Sequence, residues 1–352
     1  MDKRYLLAFV MGAATLALGI VVVRILGLGT GLPTPEPFVE PPSRTHNLSG
    51  PFTHKNLTIY LIHGDNVLPG KTPLTLSEAM ERGMVKVHET SDVNELEIEN
   101  VSSSDEVYVQ AGDIVKGGKQ DRVLAVDLLV PARSGRMPIS SFCVEQGRWN
   151  VRGTEPMAEF NSAVDMAPSI DLKLATKHSR SQAKVWEGVA HQQDKLSAST
   201  NANVASSVSR SSLPLTLGSE AVQASSEEYI DALREIIRGR DDVIGFVFAI
   251  NGRINSADTY GSNALFLKLW PKLLKATAIE ALGESHLNER GTPPALEVFS
   301  DFLSDAESAR LEPDRIVTNR VRMITRESDR AVFIESRDSE RGSWLHRNYL
   351  MK

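Results

Sequence analysis

Through the first half of the chain, short apolar runs alternate with polar positions at the period of β-strands. The run Leu57-Thr58-Ile59-Tyr60-Leu61-Ile62 is rich in β-branched and aromatic residues and closes on His63-Gly64-Asp65, a strand followed by a turn. Over 84–89, Val85 and Val87 alternate with Lys86 and His88, as in a half-buried strand. Leu96-Glu97-Ile98-Glu99 repeats the pattern, and strand-like runs follow at 107–109, 123–130 and 138–145. Thr75 and Glu78 have the spacing of a capping box, which predicts a short helix through Arg82 ended by Gly83. So many strands with one small helix leave no room for parallel crossovers, so the pairing is expected to be mostly antiparallel.

From residue 151 the period changes. Residues 179–196 fit a helix with Ala183, Trp186, Val189 and Ala190 on one side. Residues 197–212 are rich in Ser, Ala and Asn and read as part of a flexible surface loop near 197–225. At 227–238, Tyr229 or Ile230, Leu233, Ile236 and Ile237 fall at helical spacing, and Gly239 stops the run. The stretch 243–250 is the most hydrophobic strand and ends on Asn251-Gly252, a hairpin turn. Residues 263–282 are apolar nearly all round, which places that helix in the interior against a sheet. Pro271 is expected to kink it or to start its second half. A further helix is predicted at 296–309, then strands at 316–324, 331–335 and 343–349. The expected fold class is α+β: a mostly antiparallel sheet in the first half, helices packed on a sheet in the second, and a single globular domain over 53–352.

The first 29 residues follow a different rule. Lys3 and Arg4 precede a run without charge over 5–23. At about 1.5 Å per helical residue this run reaches roughly 28 Å, close to the hydrocarbon thickness of a bilayer. It is expected to be a transmembrane anchor. The alternative is a cleaved signal peptide, whose apolar core is usually only about 7–15 residues long. Lys3 and Arg4 favour the cytoplasmic side, which exports the rest, although Arg24 and Arg44 pull the other way. Residues 30–52 hold Pro33, Pro35, Pro37, Pro41, Pro42 and Pro51, the composition of a semi-rigid extended linker. The expectation is a single-pass membrane protein with an extracytoplasmic globular domain.

Composition narrows the chemistry. With 41% hydrophobic residues in 352, the chain can bury a large core. A net charge of -6 argues against general nucleic-acid binding, which needs a basic face. The single cysteine, Cys143, rules out an internal disulfide and a cysteine metal site, and within an apolar strand it reads as a small buried hydrophobe. His63 and His88 show no HxxxH, HxH or HExxH spacing, and no GxSxG elbow is present. No metal or cofactor is therefore expected.

The densest polar chemistry lies at 110–122, a glycine-rich charged stretch between two apolar runs. Gly117 and Gly118 can present successive N–H groups as a nest, and Lys119, Gln120 and Arg122 add donors suited to a phosphate or carboxylate. Glu145, on the next strand, is a candidate base or acceptor. The competing reading is a tight turn whose charges pair internally: Lys119 and Arg122 with Asp113 and Asp121, and Glu145 with Arg148. The spacing is not that of a P-loop, because Gln120 follows Lys119 where Ser or Thr is needed. Trp149 reads as core or as a cover over the domain edge. Asn251, Asp258 and Thr259 follow the buried strand, a usual place for ligand groups, though Asn251 suits a turn better.

Gly112 with Gly117-Gly118-Lys119-Gln120-Asp121-Arg122, then Phe142-Cys143-Val144-Glu145-Gln146-Gly147-Arg148-Trp149, then Gly245-Phe246-Val247-Phe248-Ala249-Ile250-Asn251-Gly252 and Trp270-Pro271-Lys272-Leu273-Leu274 occur in that order. In these stretches the chain resembles the ARG- and Rhodanese-Phosphatase-superfamily-associated protein domain. The resemblance implies no assigned activity. The family's association with ADP-ribosylglycohydrolase and phosphatase-like partners points to nucleotide-derived ligands. Two expectations follow. The first is a non-catalytic membrane-tethered module that binds an anionic small molecule or a protein partner. The second is a hydrolase of unfamiliar type, with Glu145 as base and Lys119 and Arg122 clamping an anionic or nucleotide-derived group.

Overall fold

The structure is a computed structural model that describes residues 46–90, 92–148, 160–287 and 291–352. The predicted anchor and Trp149 lie outside these residues. Among the described residues, no helix is long and apolar enough to cross a membrane.

In chain order the elements are β1 (Asn47–His54), β2 (Leu57–His63), β3 (Leu74–Thr75), α1 (Leu76–Glu81), β4 (Val85–Glu89), β5 (Glu95–Asn100), β6 (Val107–Val109), β7 (Asp113–Gly117), β8 (Arg122–Leu124), β9 (Leu128–Val130), β10 (Arg136–Cys143) and β11 (Phe160–Met166). Then come α2 (Ile170–Lys173), a π-helical turn (Leu174–Ser179), α3 (Gln182–Thr200), α4 (Leu213–Leu217), α5 (Glu220–Leu233), β12 (Val243–Ile250), β13 (Arg253–Tyr260), α6 (Asn263–Gly283) and α7 (Leu296–Ser308). The strands β14 (Arg310–Leu311), β15 (Arg315–Ile316), β16 (Val321–Glu327), β17 (Ala331–Asp338) and β18 (Ser343–Met351) complete the set. The class is α+β.

The main sheet runs β1-β2-β12-β13-β18-β17-β16-β14, with β15 also on β16, and every pairing in it is antiparallel. It draws on both halves of the sequence. The first half adds a six-stranded sheet, β11-β7-β8-β10-β5-β4, and a three-stranded sheet, β3-β6-β9. Only the β3–β6 pair among these is parallel.

The centre of the main sheet is β12, buried along its whole length. Strand alternation sends Phe246, Phe248 and Ile250 to the core shared with Leu265, Phe266, Leu269 and Trp270 of α6. Val247 and Ala249 face the opposite core, against Phe299, Phe302 and Leu303 of α7. A register shift between Val243 and Gly245 puts Val243 on the α6 side despite its odd number. Helix α7 buries Phe299, Phe302, Leu303 and Ala306, a stripe at i, i+3, i+4 and i+7. Helix α6 is buried nearly all round and runs continuously through Pro271.

Local signals were kept where they are self-contained. Thr75 accepts from Glu78 N at 3.2 Å and Glu78 Oε2 accepts from Thr75 N at 2.8 Å, closing the capping box. Asn251 and Gly252 take φ of 52° and 75° in the β12–β13 turn.

The structure differs from expectation at four places. The domain begins at β1, inside the predicted linker, because Pro51 sits in an irregular stretch of an edge strand, where a missing N–H is tolerated. Within the expected loop near 197–225, α3 runs on to Thr200, and α4 and the first turns of α5 form beyond it. Ser212 caps α4 by accepting from Leu215 N, so the serines that suggested a loop here start a helix. The buried side of α3 carries Val185, Val189, Gln192 and Leu196, not Trp186. The π-helical turn before it had no periodic signal.

Candidate functional site

The hairpin of β7 and β8 carries the residues singled out above. Gly117 and Gly118 have φ of +127° and +58°. A Cβ on Gly118 would lie 2.5 Å from Glu89 Oε1 and 2.6 Å from Phe160 Cζ, so this position needs glycine for both space and conformation. The N–H groups of the nest point at the protein's own carboxylates: Gly117 N to Asp121 Oδ1 at 2.9 Å and Lys119 N to Glu89 Oε1 at 2.7 Å. Arg122, 1% exposed, donates to Gln120 O at 2.9 Å and lies 3.6 Å from Glu89 Oε2. Gln120 Nε2 donates to Glu145 O, and Glu145 Oε2 accepts from Arg148 Nε at 2.6 Å and Asp121 N at 3.3 Å. Ser212 donates to Asp121 Oδ2 at 2.9 Å. Gly117, Gly118, Gln120, Arg122 and Glu145 therefore meet in a network closed by Asp121, Glu89 and Arg148, in which Arg122 Nε has no hydrogen-bond partner among the described residues. Lys119 enters it through its backbone. Cys143 is buried beside it, its Sγ 2.9 Å from Gln120 Oε1, and burial pushes the thiol's pKa up.

The other end of the same stretch, Gln110–Asp113, turns into a second and deeper cluster. Strands β13, β18 and β17 are neighbours, and their register pairs Asp258 with Asn348, Tyr260 with His346, and Ser336 with His346. Directly paired residues share a face, so these side chains gather on one side of the sheet. Asp127, just ahead of β9, reaches them from the first half. Its Oδ2 lies 2.9 Å from His346 Nδ1 and accepts from Ser336 Oγ at 2.5 Å, while Oδ1 accepts from Ala111 N at 2.8 Å. His346 Nε2 is 2.9 Å from Asp258 Oδ1, which also accepts from Asn348 Nδ2 at 2.8 Å. Lys177, on the π-helical turn, donates to Asn348 Oδ1 at 3.0 Å. Its Cε lies 3.7 Å from where a side chain on Gly112 (φ +102°) would begin. Asp113 Oδ1 pairs with Lys272 at 2.5 Å, and Lys173 pairs with Glu280 at 3.0 Å while reaching Ser256 of β13.

The charges follow from this geometry. Burial opposes ionisation of Asp127, but the neighbouring His346 and the Ser336 hydroxyl hold its pKa down at about 2. Burial alone would lower His346, but Asp127 and then Asp258 raise it. With ionised carboxylates on both nitrogens, both ring nitrogens donate and the ring is an imidazolium. Tyr260 lies parallel to it at 4.7 Å. Burial lowers Lys177, offset in part by Asp258 and Asp127. Asp113 is raised by burial against the pull of Lys272.

Beside this cluster stand Tyr108 Oη, with no hydrogen-bond partner among the described residues, and the Tyr260 hydroxyl and Gln110 amide, which lie next to each other. All three residues are 1% exposed or less. Asp113, Asp127 and Asp258 act electrostatically on Tyr108, Tyr260 and Lys177 alike, and the Gln110 side chain lies within hydrogen-bonding reach of the Tyr260 hydroxyl. These groups thus form one buried polar cluster between the main sheet, the β6–β7 connection and the π-helical turn. Burial pushes both tyrosines well above their ordinary range, so they are hydroxyls at neutral pH.

His63 and His88 lie apart, paired with Asp242 and Glu99. Among the described residues, no three His, Cys, Asp or Glu side chains are arranged to hold a metal ion. An open cleft of about 540 Å³ lies elsewhere, lined by Arg234, Arg238, Arg240 and Leu267. Arg234 and Arg238 are committed to Asp231 and Glu235, and Arg240 stacks on Phe52.

Sequence reasoning reached Gln110, Gly112, Asp113 and Asp258 but missed Asp127, Lys177, Tyr108, Tyr260, His346 and Asn348. Asp127 had a usable signal: it is the lone charge within the apolar run 123–130. His346 and Asn348 alternate with Leu345 and Tyr349, so either face of β18 was equally eligible for the core.

No curated protein and no solved structure matches the chain. The family model described as ARG and Rhodanese-Phosphatase-superfamily-associated Protein domain matches residues 45–350, which takes in the β7–β8 hairpin, the buried polar cluster and all three sheets. The chain therefore belongs to the ARG and Rhodanese-Phosphatase-superfamily-associated Protein domain family.

Proposed function

We propose that this domain is a ligand-binding module without catalytic chemistry of its own, and that the buried polar cluster around Tyr108, Gln110 and Tyr260 is its ligand seat. The observation that carries this reading is the buried Tyr108 hydroxyl, which has no partner among the described residues, beside the Tyr260 hydroxyl and the Gln110 amide. A buried polar group left without a partner costs about 1–3 kcal/mol, which favours a bound group that pairs with it. The binding reading is preferred over the hydrolase because Glu145, its expected base, is fully buried and engaged by Arg148 Nε and Asp121 N, and because His346 is held at both nitrogens by carboxylates. An imidazolium so engaged has no lone pair with which to take a proton. In this reading the β7–β8 hairpin, with Gly117, Gly118, Lys119, Gln120, Arg122 and Glu145, is the support that fixes Gln110–Asp113 beside the buried polar cluster.

The uncharged run at 5–23 and the prolines that follow support a membrane tether with the domain outside the cytoplasm. Reporter fusions after Thr30 test this, and a cytoplasmic signal would reverse the orientation. The ligand seat is tested by a thermal-shift screen of the full-length chain in detergent against small polar metabolites. A ligand of the native state raises Tm by mass action. The same compound is expected to lose its effect on the Tyr108→Phe variant, and a shift that survives this substitution places the ligand elsewhere.

A further inference from the structure

Away from the buried cluster, three side chains from separate stretches of the chain converge at one end of the main sheet. Strand β1 ends that sheet, with β2 beside it and β12 next. Ser49 of β1 pairs with Leu61 of β2, two residues from His63, so Ser49 and His63 stand on one face. Asp242 immediately precedes β12, where the register sets Val243 opposite His63. Ser49 Oγ is 2.7 Å from His63 Nε2, and His63 Nδ1 is 3.0 Å from Asp242 Oδ1. The backbone holds these residues in place. Gly64 N donates to Asp242 O at 2.9 Å, tying the residue after His63 to Asp242. Gly50, at φ +136°, follows Ser49, and a Cβ there would lie 3.0 Å from Tyr60 Cδ1 and 3.1 Å from Ile59 O, so β1 presses close on β2 at this point.

The order of the contacts fixes the protons. The hydrogen bond from His63 lowers the pKa of Asp242, and an ionised carboxylate can only accept. His63 Nδ1 therefore carries a proton, and in the neutral ring Nε2 keeps the lone pair that faces the Ser49 hydroxyl. This is the opposite of His346, whose two nitrogens both meet carboxylates. A serine hydroxyl donating to an imidazole whose other nitrogen is held by a carboxylate is a nucleophile with its base in place, and such a set is defined by its geometry and not by a sequence motif. Ser49 and His63 are half-buried at the edge of the sheet, so the hydroxyl is within reach of a reagent from solution.

From the Ser49–His63–Asp242 geometry we infer that Ser49 is a site of covalent acylation, and that its substrate is an activated ester or thioester. The Ser49 Oγ attacks the acyl carbon, its proton passes to His63 Nε2, and the bond from the acyl carbon to the leaving oxygen or sulfur breaks. The leaving group takes that proton from His63, so Ser–OH and R–CO–X become Ser–O–CO–R and HX. Asp242 is a positioning residue that keeps His63 in the tautomer able to accept. The product is an ester on the first strand of the domain. It is a modification of the protein and not a turnover reaction, so it stands beside the binding reading above without resting on it.

The test is incubation of the full-length chain in detergent with p-nitrophenyl acetate, read by release of p-nitrophenol and by mass-spectrometric peptide mapping. One acetyl group per chain is expected on Ser49. Ser49→Ala is expected to abolish that adduct, and His63→Gln to slow its formation about a hundredfold, the lower end of what a positioned base contributes. Asp242→Asn should slow it about tenfold, because an exposed carboxylate holds its partner weakly, and Asp242→Glu should recover part of the rate. Acetylation confined to lysines, or Ser49 acetylated at the parent's rate in His63→Gln, overturns the proposal. A fluorophosphonate challenge of the parent chain gives a reading that no variant's folding can blur, and an unlabelled Ser49 there overturns it as well. Ser49-dependent release of p-nitrophenol well beyond one equivalent would replace modification by hydrolysis and overturn the non-catalytic reading too. The thermal-shift test at Tyr108 is independent of each of these results.

Discussion

His346 is the residue on which the buried charges turn, and its pH behaviour can be worked out. Its folded-state pKa is raised above the ordinary 6.5, so the stability it contributes is full below about pH 6.5 and is lost as pH climbs through the raised value. Asp127 runs the opposite way. Held at about 2 against an ordinary 3.8, it stabilises fully above pH 3.8, and that contribution is lost as pH falls toward 2. Thermal stability is expected to plateau between these limits, near pH 4 to 6.5, and to decline on both sides. His346→Gln should lower the plateau and remove the alkaline decline attributable to the clamp. Melting curves across pH decide it, and an unchanged alkaline slope in the variant would assign the decline to other groups.

At the same scale, the β7–β8 hairpin separates two residues that look alike in sequence. Arg122 is buried and spans Gln120 and Glu89, whereas Lys119 takes part through its N–H. Arg122→Ala is expected to cost about 3–5 kcal/mol, because it strands buried partners, and Lys119→Ala less than about 0.5 kcal/mol. Urea unfolding of the two variants measures the contrast, and equal costs would show the hairpin network to be unimportant.

Among the elements, β12 and β13 approach most closely at Gly245. A Cβ there would sit 2.2 Å from Asp258 O and 2.8 Å from Thr259 Cα, both backbone atoms that cannot swing aside. Gly245→Ala is expected to destabilise by about 3 kcal/mol or more and to displace Asp258 from His346. Near-native stability in this variant would mean that the strands can separate without cost. This contact also shows what the sequence could and could not reveal. Strand β12, α6, α7, the Thr75 capping box and the Asn251-Gly252 turn were legible because each is set by neighbours within a few residues. The π-helical turn, β11 and the helical start near Glu220 were not, because tertiary packing decides them. The candidate site divides along the same line. The dense polar stretch at 110–122 was visible, but Asp127, Asp258 and His346 meet only through strand register, with His346 219 residues from Asp127 and 88 from Asp258.

For the molecule as a whole, the decisive arrangement is the sheet order β13-β18-β17. Strand β18 follows every other strand in the chain yet lies inside the main sheet, bonded on both edges. A chain cut before Ser343 is expected to lose cooperative unfolding altogether, not merely some stability, since β13 and β17 would both lose a partner. Circular dichroism melts of the truncated chain would show a broad transition, and a sharp one near the parent's Tm would refute this. Topology of this kind, dominated by pairings distant in sequence, also predicts slow folding.

Because β18 also carries His346 and Asn348, the closing of the sheet and the neutralising of Asp127 and Asp258 are one event. Without that strand, Asp127 and Asp258 lack the counter-ion that His346 supplies to both in the folded protein. A chain that stops short of β18 is therefore expected to lose the last central strand of the sheet and the neutralisation of its buried carboxylates together.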